Sequence, residues 1–573
     1  MMLNDKPLMD PLKKGAIMRV GDKLAELLVQ NGVEYVYGVP GGQTLPLYDG
    51  IRKLEGKIRH ILMRDERSAG FAADAYARMT GRAGVCDATV GPGATNLVSP
   101  LAEAYCSSIP LIAIVSDIAR AWEHRRMKGN ASQALEQLDI FKTVSKWQVT
   151  VTDPKALENI IDTAFRIATT GKPGPVVISV PDDVASSDFP YRETTNTLQG
   201  ALFPRFRTSP DPNDVTRAVE LLLGSKKPVL VVGGGAHISG AYTQVKTLAE
   251  TLKIPVITTI SGKGIIEETH ALAFGVTGSF GNPMANEIMM QADLVFFIGC
   301  KAGQLTTLNY RVPKKDVPVI HLDADPEEIG RNFAHSIPLL SDARLGLDAL
   351  IKTLGNKKPD VAWDLAGFKT KHQQWYQEKA RSAPVPGQPL KPQAIMDTVN
   401  QCLTDKDVIV CDASLSSGWA ASYLTLNTAG RRFMAPRGLA GLGWGAPAAI
   451  GAAMAAKENN RVICFAGDGG FSYSVQELEV MCRFKLPVVN VILNNDVLGW
   501  IKHVQRDVYQ KNYISTDFCH VDFATVAKGF GVRSYSVQTL EELKQALESE
   551  KSPKGPAVID IISDPWESPI FRM

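Results

Sequence analysis

The feature that most constrains this chain is a long alternation of short apolar runs with helical patterns. Runs at 35–38, 111–115, 176–180, 229–232, 295–298, 319–322, 408–411, 462–465, 488–493 and 557–562 are mostly continuous rather than alternating in polarity. A strand reads that way when both of its faces are covered, as in a parallel sheet held between layers of helices. The pattern predicts several doubly wound α/β domains. At 573 residues the chain is also too long for one hydrophobic core.

Two stretches interrupt the alternation. Residues 188–207 are poor in long apolar runs and carry Pro190 and Pro204, and residues 382–393 hold four prolines. Proline lacks the backbone donor that helices and sheets need, so both stretches are predicted linkers. They leave three blocks of similar length: 14–187, 206–357 and 392–565. The last residues, 564–573, are predicted to form a tail that docks elsewhere on the protein.

Composition excludes several classes. Hydrophobic residues make up 45% and charged residues 21%, which excludes disorder over most of the chain. Lys and Arg total 62 against 60 Asp and Glu, a net charge of +2 that gives no reason to expect nucleic acid as a partner. No apolar run approaches the ~18 residues of a membrane span, so no membrane partner is expected. The polar N-terminus has no apolar secretory stretch. Eight cysteines without a Cys-x-x-Cys pair read as buried free thiols of a reducing, cytoplasmic compartment; Cys86, Cys106, Cys300, Cys411, Cys464 and Cys482 mostly lie in apolar surroundings.

The sharpest chemical signal is in the third block. The apolar run 462–466 leads directly into Gly467-Asp468-Gly469-Gly470-Phe471, and the run 488–493 ends in Asn494-Asn495, with Asn495 27 positions after Asp468. In a parallel sheet both would lie at the carboxyl edge, where ligands bind. Asp and Asn oxygens with a main-chain carbonyl suit a hard octahedral cation such as Mg²⁺. Glycines let backbone N–H groups approach phosphate oxygens. Gly-Asp-Gly and Asn-Asn are also ordinary turn sequences; their spacing, each after a strand, favours a diphosphate–metal site.

This arrangement resembles the signature of thiamine-diphosphate enzymes. Further stretches carry the likeness: Tyr37-Gly-Val-Pro-Gly-Gly-Gln-Thr-Leu-Pro-Leu-Tyr-Asp49, Arg64-Asp-Glu-Arg-Ser-Ala-Gly70, Ala73-Asp-Ala-Tyr-Ala-Arg78, Gly91-Pro-Gly-Ala-Thr-Asn96 and Gly441-Leu-Gly-Trp-Gly-Ala-Pro447. In kind and order they are similar to the acetohydroxyacid synthase and pyruvate oxidase branch, over about residues 14–565. The resemblance implies pyrimidine-binding, central and diphosphate-binding domains. It implies that Glu66 hydrogen-bonds the cofactor's pyrimidine nitrogen and so primes proton removal from the thiazolium. It implies metal ligands at Asp468, Asn495 and the main chain of Val497. Cofactor contacts are implied at Pro40, Gly41, Asn96, Gly441, Gly467, Gly469, Gly470 and Leu498, with Leu442 as an apolar wedge. Ser414, Ser416 and Ser417 lie where diphosphate contacts are expected; a helix cap is the alternative. It also implies at least a homodimer, dimer or tetramer, whose sites combine the first block of one subunit with the third block of another.

Three regions bear on the reaction. Simple 2-oxo acid decarboxylases carry a His-His pair in the first block; here Ser132-Gln133 stands in that region. Gln133 matches a catalytic glutamine near the cofactor, and an amide orients a carbonyl without acting as an acid. Trp500 and Val504 depart from the biosynthetic synthases, which carry a tryptophan at the site of Val504, so the acceptor pocket has been reshaped; Trp500 as plain core is the alternative. Flavin-containing members have an Arg-Phe-Asp-Asp-Arg-like stretch after an apolar strand, and here Lys301-Ala-Gly-Gln304 follows instead. FAD is therefore not predicted, and neither is an ADP or CoA moiety, although Lys301, Arg311 and the Gly233–Gly235 turn leave a nucleotide open. His124, Arg125 and Arg126 read as a solvated loop, or as a contact to an anionic substrate group. The expected activity is a Mg²⁺-dependent carboligase that decarboxylates a 2-oxo acid and condenses the enamine with a second carbonyl compound. A 2-hydroxyacyl-CoA lyase, then a flavin-dependent oxidase, are the alternatives.

Overall fold

The structure, a computed structural model, describes residues 18–189, 200–334, 336–381, 385, 387–456 and 460–571. The start of the first block at residue 14, the polar N-terminus and much of both predicted linkers lie outside the described residues.

The described chain forms three six-stranded sheets, each parallel throughout. The first is built from Tyr35–Gly38, Arg59–Leu62, Gly84–Ala88, Leu111–Asp117, Trp147–Thr150 and Val176–Pro181. The third is built from Val408–Cys411, Phe433–Met434, Val462–Gly467, Val488–Asn494, Arg533–Val537 and Ala557–Ile562. Numbered within each sheet, both have the spatial order 2-1-3-4-6-5. The central sheet, from Pro228–Val232 to Ser336–Leu340, has the order 3-2-1-4-5-6 of dinucleotide-binding folds. Its chain reversal lies between Pro228–Val232 and Leu294–Ile298, which pair in register from Leu294 with Pro228 to Ile298 with Val232.

The continuous apolar runs have the cause inferred from them. All seven residues of Leu111–Asp117 and all seven of Val488–Asn494 are buried, so both faces of these strands are covered. An antiparallel pair, Met18 with Phe189 and Arg19 with Asp188, ties together the two ends of the first block.

One helix pair joins the first and third sheets. Glu66–Thr80 is capped by Asp65, whose side chain accepts from the Arg67 N–H at 2.7 Å, and it ends at Gly81 in the left-handed conformation, φ 70°. Its Ala69, Ala72 and Ala73 face Gly445–Ala455, itself almost entirely Gly, Ala and Pro. Small side chains let the two backbones approach: a Cβ on Gly451 would strike the Ala72 carbonyl. The resulting core holds Phe71, Ala72, Trp444 and Ile450 together. A buried polar network crosses it. Trp444 Nε1 donates to Asp74 at 3.0 Å, and Arg78 pairs with Asp74 at 2.9 Å and with Glu103 at 3.1 Å.

The described part of the tail docks on the third sheet and the central unit. The Pro565 carbonyl meets His503 Nε2 at 2.8 Å, and the Phe571 N–H donates to the Ser279 carbonyl at 2.8 Å. A helix not foreseen from the sequence, Leu365–Ala380, precedes the third block. It is polar on most sides, which hid its period, and it is held by Trp375 and Tyr376 against Tyr423. Of the cysteines, Cys86, Cys300, Cys402, Cys411 and Cys464 are buried as free thiols. Cys106 is exposed and Cys482 is half-buried, because each lies near a helix end at the surface rather than in a strand. Among the described residues no helix is long and apolar enough to cross a membrane.

Candidate active site

The candidate residues fall into two groups, each at the carboxyl edge of its sheet. The first lies on loops of the first sheet. Glu66 opens the helix Glu66–Thr80, and its carboxylate accepts from Asn96 Nδ2 at 2.9 Å. Gly93 backs onto this carboxylate so closely that a Cβ would sit 2.9 Å from Glu66 Oε1. Gly41 lies against Thr89, and Gly91, at φ 72°, lies against the Gln133 carbonyl. Backbone approach thus gathers Gly41, Glu66, Asn96 and Gln133 into one region. Pro40, Asn96 and Gln133 are exposed there.

The second group lines a cavity of about 380 Å³. Its walls include Ser414, Ser416, Leu442, Gly467, Asp468, Gly469, Gly470, Asn495, Val497 and Leu498. Asp468 follows directly on Val462–Gly467 and Asn495 directly on Val488–Asn494, so two neighbouring parallel strands deliver both to the same edge. The Asp468 carboxylate accepts from the Gly469 N–H at 2.8 Å and the Asp496 N–H at 2.6 Å. Burial nevertheless pushes its pKa up to about 6, against the lowering by these donors.

Ser414 caps Leu415–Tyr423 with φ 67° and ψ −143°, a region that L residues rarely adopt. Together with Leu498, which caps Gly499–Asp507, it brings two helix N-termini to the cavity. The Ser416 and Ser417 hydroxyls donate to main-chain carbonyls of their own turn, at 3.0 Å to Ala413 and 2.8 Å to Ser414. Ser417 and Gly441 are not on the cavity wall. Sequence reasoning missed Asp412, whose buried carboxylate accepts from the Ala413, Gly443 and Trp444 N–H groups and sets the loop carrying Leu442. Its position directly after a strand was the available signal.

Within one chain, no described residue of the first block lines the cavity of Asp468 and Asn495. Trp500 is on its wall, with its ring edge-to-face with Phe280 at 5.4 Å; Val504 is not. A second cavity, of about 510 Å³, opens at the chain reversal of the central sheet. Gly233, Gly299, Lys301, Asp323 and Ser341 line it. Lys301 donates to the Cys106 carbonyl of the first block, and burial holds its pKa below the usual amine value. Arg311 lies apart from this cavity, bonded to the Leu308 carbonyl at 2.9 Å. Arg126 is engaged in structure, paired with Asp117 at 2.9 Å and Glu123 at 2.7 Å, while His124 and Arg125 are exposed.

Two like-ordered sheets that carry ligand-type residues at their carboxyl edges, with a dinucleotide-fold sheet between them, define a multidomain α/β enzyme. Comparison gives the family. Models of the thiamine pyrophosphate enzymes match in chain order: the N-terminal TPP binding domain over residues 18–141, the central domain over 215–350 and the C-terminal TPP binding domain over 412–561. The chain belongs to the thiamine-diphosphate-dependent enzymes. It is 34% identical to the acetolactate synthase large subunit of Cyanidium caldarium, over 96% of this chain and 94% of that protein. It is also 34% identical to the probable acetolactate synthase large subunit of Methanocaldococcus jannaschii, over 96% and 93%. It is 33% identical to the acetolactate synthase of Arthrospira platensis, over 96% and 95%.

Proposed function

We propose that the chain is a thiamine-diphosphate- and Mg²⁺-dependent carboligase of acetolactate synthase type, with domains at 14–187, 206–357 and 392–565. The observation that carries this is the cavity lined together by Asp468 and Asn495, from neighbouring strands, and by the apolar Leu442, Val497 and Trp500. The residues fit the cofactor. Asp468 is a buried carboxylate held short of full compensation, and Asn495 offers a neutral oxygen. One carboxylate and one amide suit a Mg²⁺ ion, which Asp468, Asn495 and the Val497 main chain would hold against a diphosphate. Thiamine diphosphate, when bound, supplies a thiazolium that stabilises carbanion character on a substrate carbonyl carbon.

The protein's own groups do the rest. Glu66, held by Asn96, is the carboxyl that would share a proton with the pyrimidine of a bound cofactor. Leu442, on the cavity wall, would bear on the bound cofactor, and the apolar walls would keep water from the reacting carbon. Gln133 orients a carbonyl and offers no acid. Because Glu66 is absent from the cavity of Asp468, a second copy supplies it, which supports a homodimer as the smallest active unit.

The test is incubation of the protein with pyruvate, thiamine diphosphate and Mg²⁺. Acetolactate is the expected product, and CO₂ without a condensation product defeats the proposal. The central cavity favours a second reading, a 2-hydroxyacyl-CoA lyase, since Lys301, Asp323 and the Gly233–Gly235 turn offer nucleotide contacts. Tight binding of a CoA analogue there would favour it, as a yellow, flavin-loaded protein would favour an oxidase.

A further inference from the structure

Arg437 stands where the two cavities meet. It lines both the cavity of Asp468 and Asn495 and the central cavity, as do Phe280 and Leu305. Its loop is pinned from behind: the N–H groups of Gly438, Leu439 and Ala440 all donate to Glu103, at 3.0, 2.7 and 2.9 Å. Glu103 also accepts from Arg78 at 3.1 Å and from Ser107 at 2.7 Å. These donors occupy Glu103, the carboxylate whose charge acts on Arg437.

The Arg437 guanidinium itself has no ion pair within 4.0 Å among the described residues, and Glu103, already paired with Arg78, acts on it only through its charge. Its contacts are the Phe280 ring, 5.3 Å from the centroid, and a long hydrogen bond of 3.4 Å to Ser417 Oγ. Burial disfavours its charge, yet an arginine in a protein does not give up its proton. Arg437 is half-buried, and a cation at a cavity wall with no carboxylate paired to it is a ready contact for an entering anion.

A carboligation of two 2-oxo acids brings two carboxylates. The donor's carboxylate leaves as CO₂, and an ion pair to it would stabilise the ground state and oppose the step. The acceptor's carboxylate survives into the product, so pairing with it holds through the transition state. We propose that Arg437 binds the carboxylate of the acceptor and selects 2-oxo acids over uncharged aldehydes as the second substrate. This rests on the carboligase function proposed above.

The test compares full-length wild-type, R437Q and R437K proteins loaded with thiamine diphosphate and Mg²⁺, with thermal midpoints as the control for folding. In R437Q the half-saturating concentration of 2-oxobutyrate as acceptor should rise about thirtyfold, equivalent to about 2 kcal/mol. With acetaldehyde as acceptor it should change less than about twofold, and R437K should recover part of the loss. A second measurement needs no turnover: Trp fluorescence of the loaded protein titrated with propionate and with propionamide. Wild type should bind the acid over the amide, and R437Q should lose the difference. Equal losses for 2-oxobutyrate and acetaldehyde, or propionate binding retained in R437Q, overturn the assignment. If wild type makes no acetolactate, that failure falls on the carboligase function, and the propionate comparison still decides the role of Arg437.

Discussion

Asp468 and Glu66 make opposite demands on their surroundings. Asp468 needs burial, so that a metal ion is the best partner its charge can find. Glu66 needs a donor on one side and an open side for the cofactor, and Asn96 and the close approach of Gly93 provide that. Glu66→Gln should lower turnover at least about a hundredfold while thiamine diphosphate still binds, because the amide hydrogen-bonds but cannot share a proton. Steady-state rates alongside cofactor titration separate the two effects; full activity in that variant would remove Glu66 from the mechanism. Asp468→Asn should instead weaken cofactor binding in a way that added Mg²⁺ partly restores, read by titration at several metal concentrations. Both residues were legible in the sequence, Asp468 from a short motif directly after an apolar run and Glu66 only through the family resemblance of its surroundings. Arg437 and Asp412 were not, since what makes them matter is a neighbour from a distant part of the chain.

At the scale of elements, the contact between Glu66–Thr80 and Gly445–Ala455 decides how the first and third sheets sit. Gly451→Val would drive a side chain into the Ala72 carbonyl, and the backbones have no room to yield. A loss above about 3 kcal/mol is expected, visible as a lower thermal midpoint or insoluble protein. Glu477 reports on the same junction. It is fully buried, accepts weakly from the Arg64 N–H at 3.4 Å, and has an Oε1 without a hydrogen-bond partner. Burial pushes its pKa up to about 7, opposed by the Ser68 hydroxyl and by Arg64 and joined by the Asp65 charge. The folded protein therefore holds a proton that the unfolded chain releases near pH 4.5. Its contribution to stability is fully present below that pH and is lost as pH rises through about 7, amounting to about 3 kcal/mol. Glu477→Gln should flatten the stability profile between those limits, and the variant should gain on wild type as pH rises. A denaturation series in which the two profiles stay parallel would contradict this.

At the scale of the molecule, the separation of Glu66 from the cavity of Asp468 predicts complementation. Glu66→Gln and Asp468→Asn proteins, each inactive alone, should regain about a quarter of wild-type activity when mixed and allowed to exchange, since half the dimers carry one intact site. No recovery after verified exchange would mean that each site is built within one chain. The apolar side chains Leu62, Leu439, Tyr473 and Phe518 are exposed in the single chain and would be covered if such a partner docks there. A solution mass of at least twice 62.2 kDa is expected by light scattering. Three α/β units, their parallel sheets and ligand-type residues after strands could be read from the chain alone, because apolar period and turn chemistry are local properties of a few residues. That the outer sheets share one strand order, that Leu365–Ala380 is a helix, and that Arg437 has no ion pair where two cavities meet came only with the folded chain. Those facts depend on which distant side chains use up one another's charges and hydrogen bonds, and no local pattern records that.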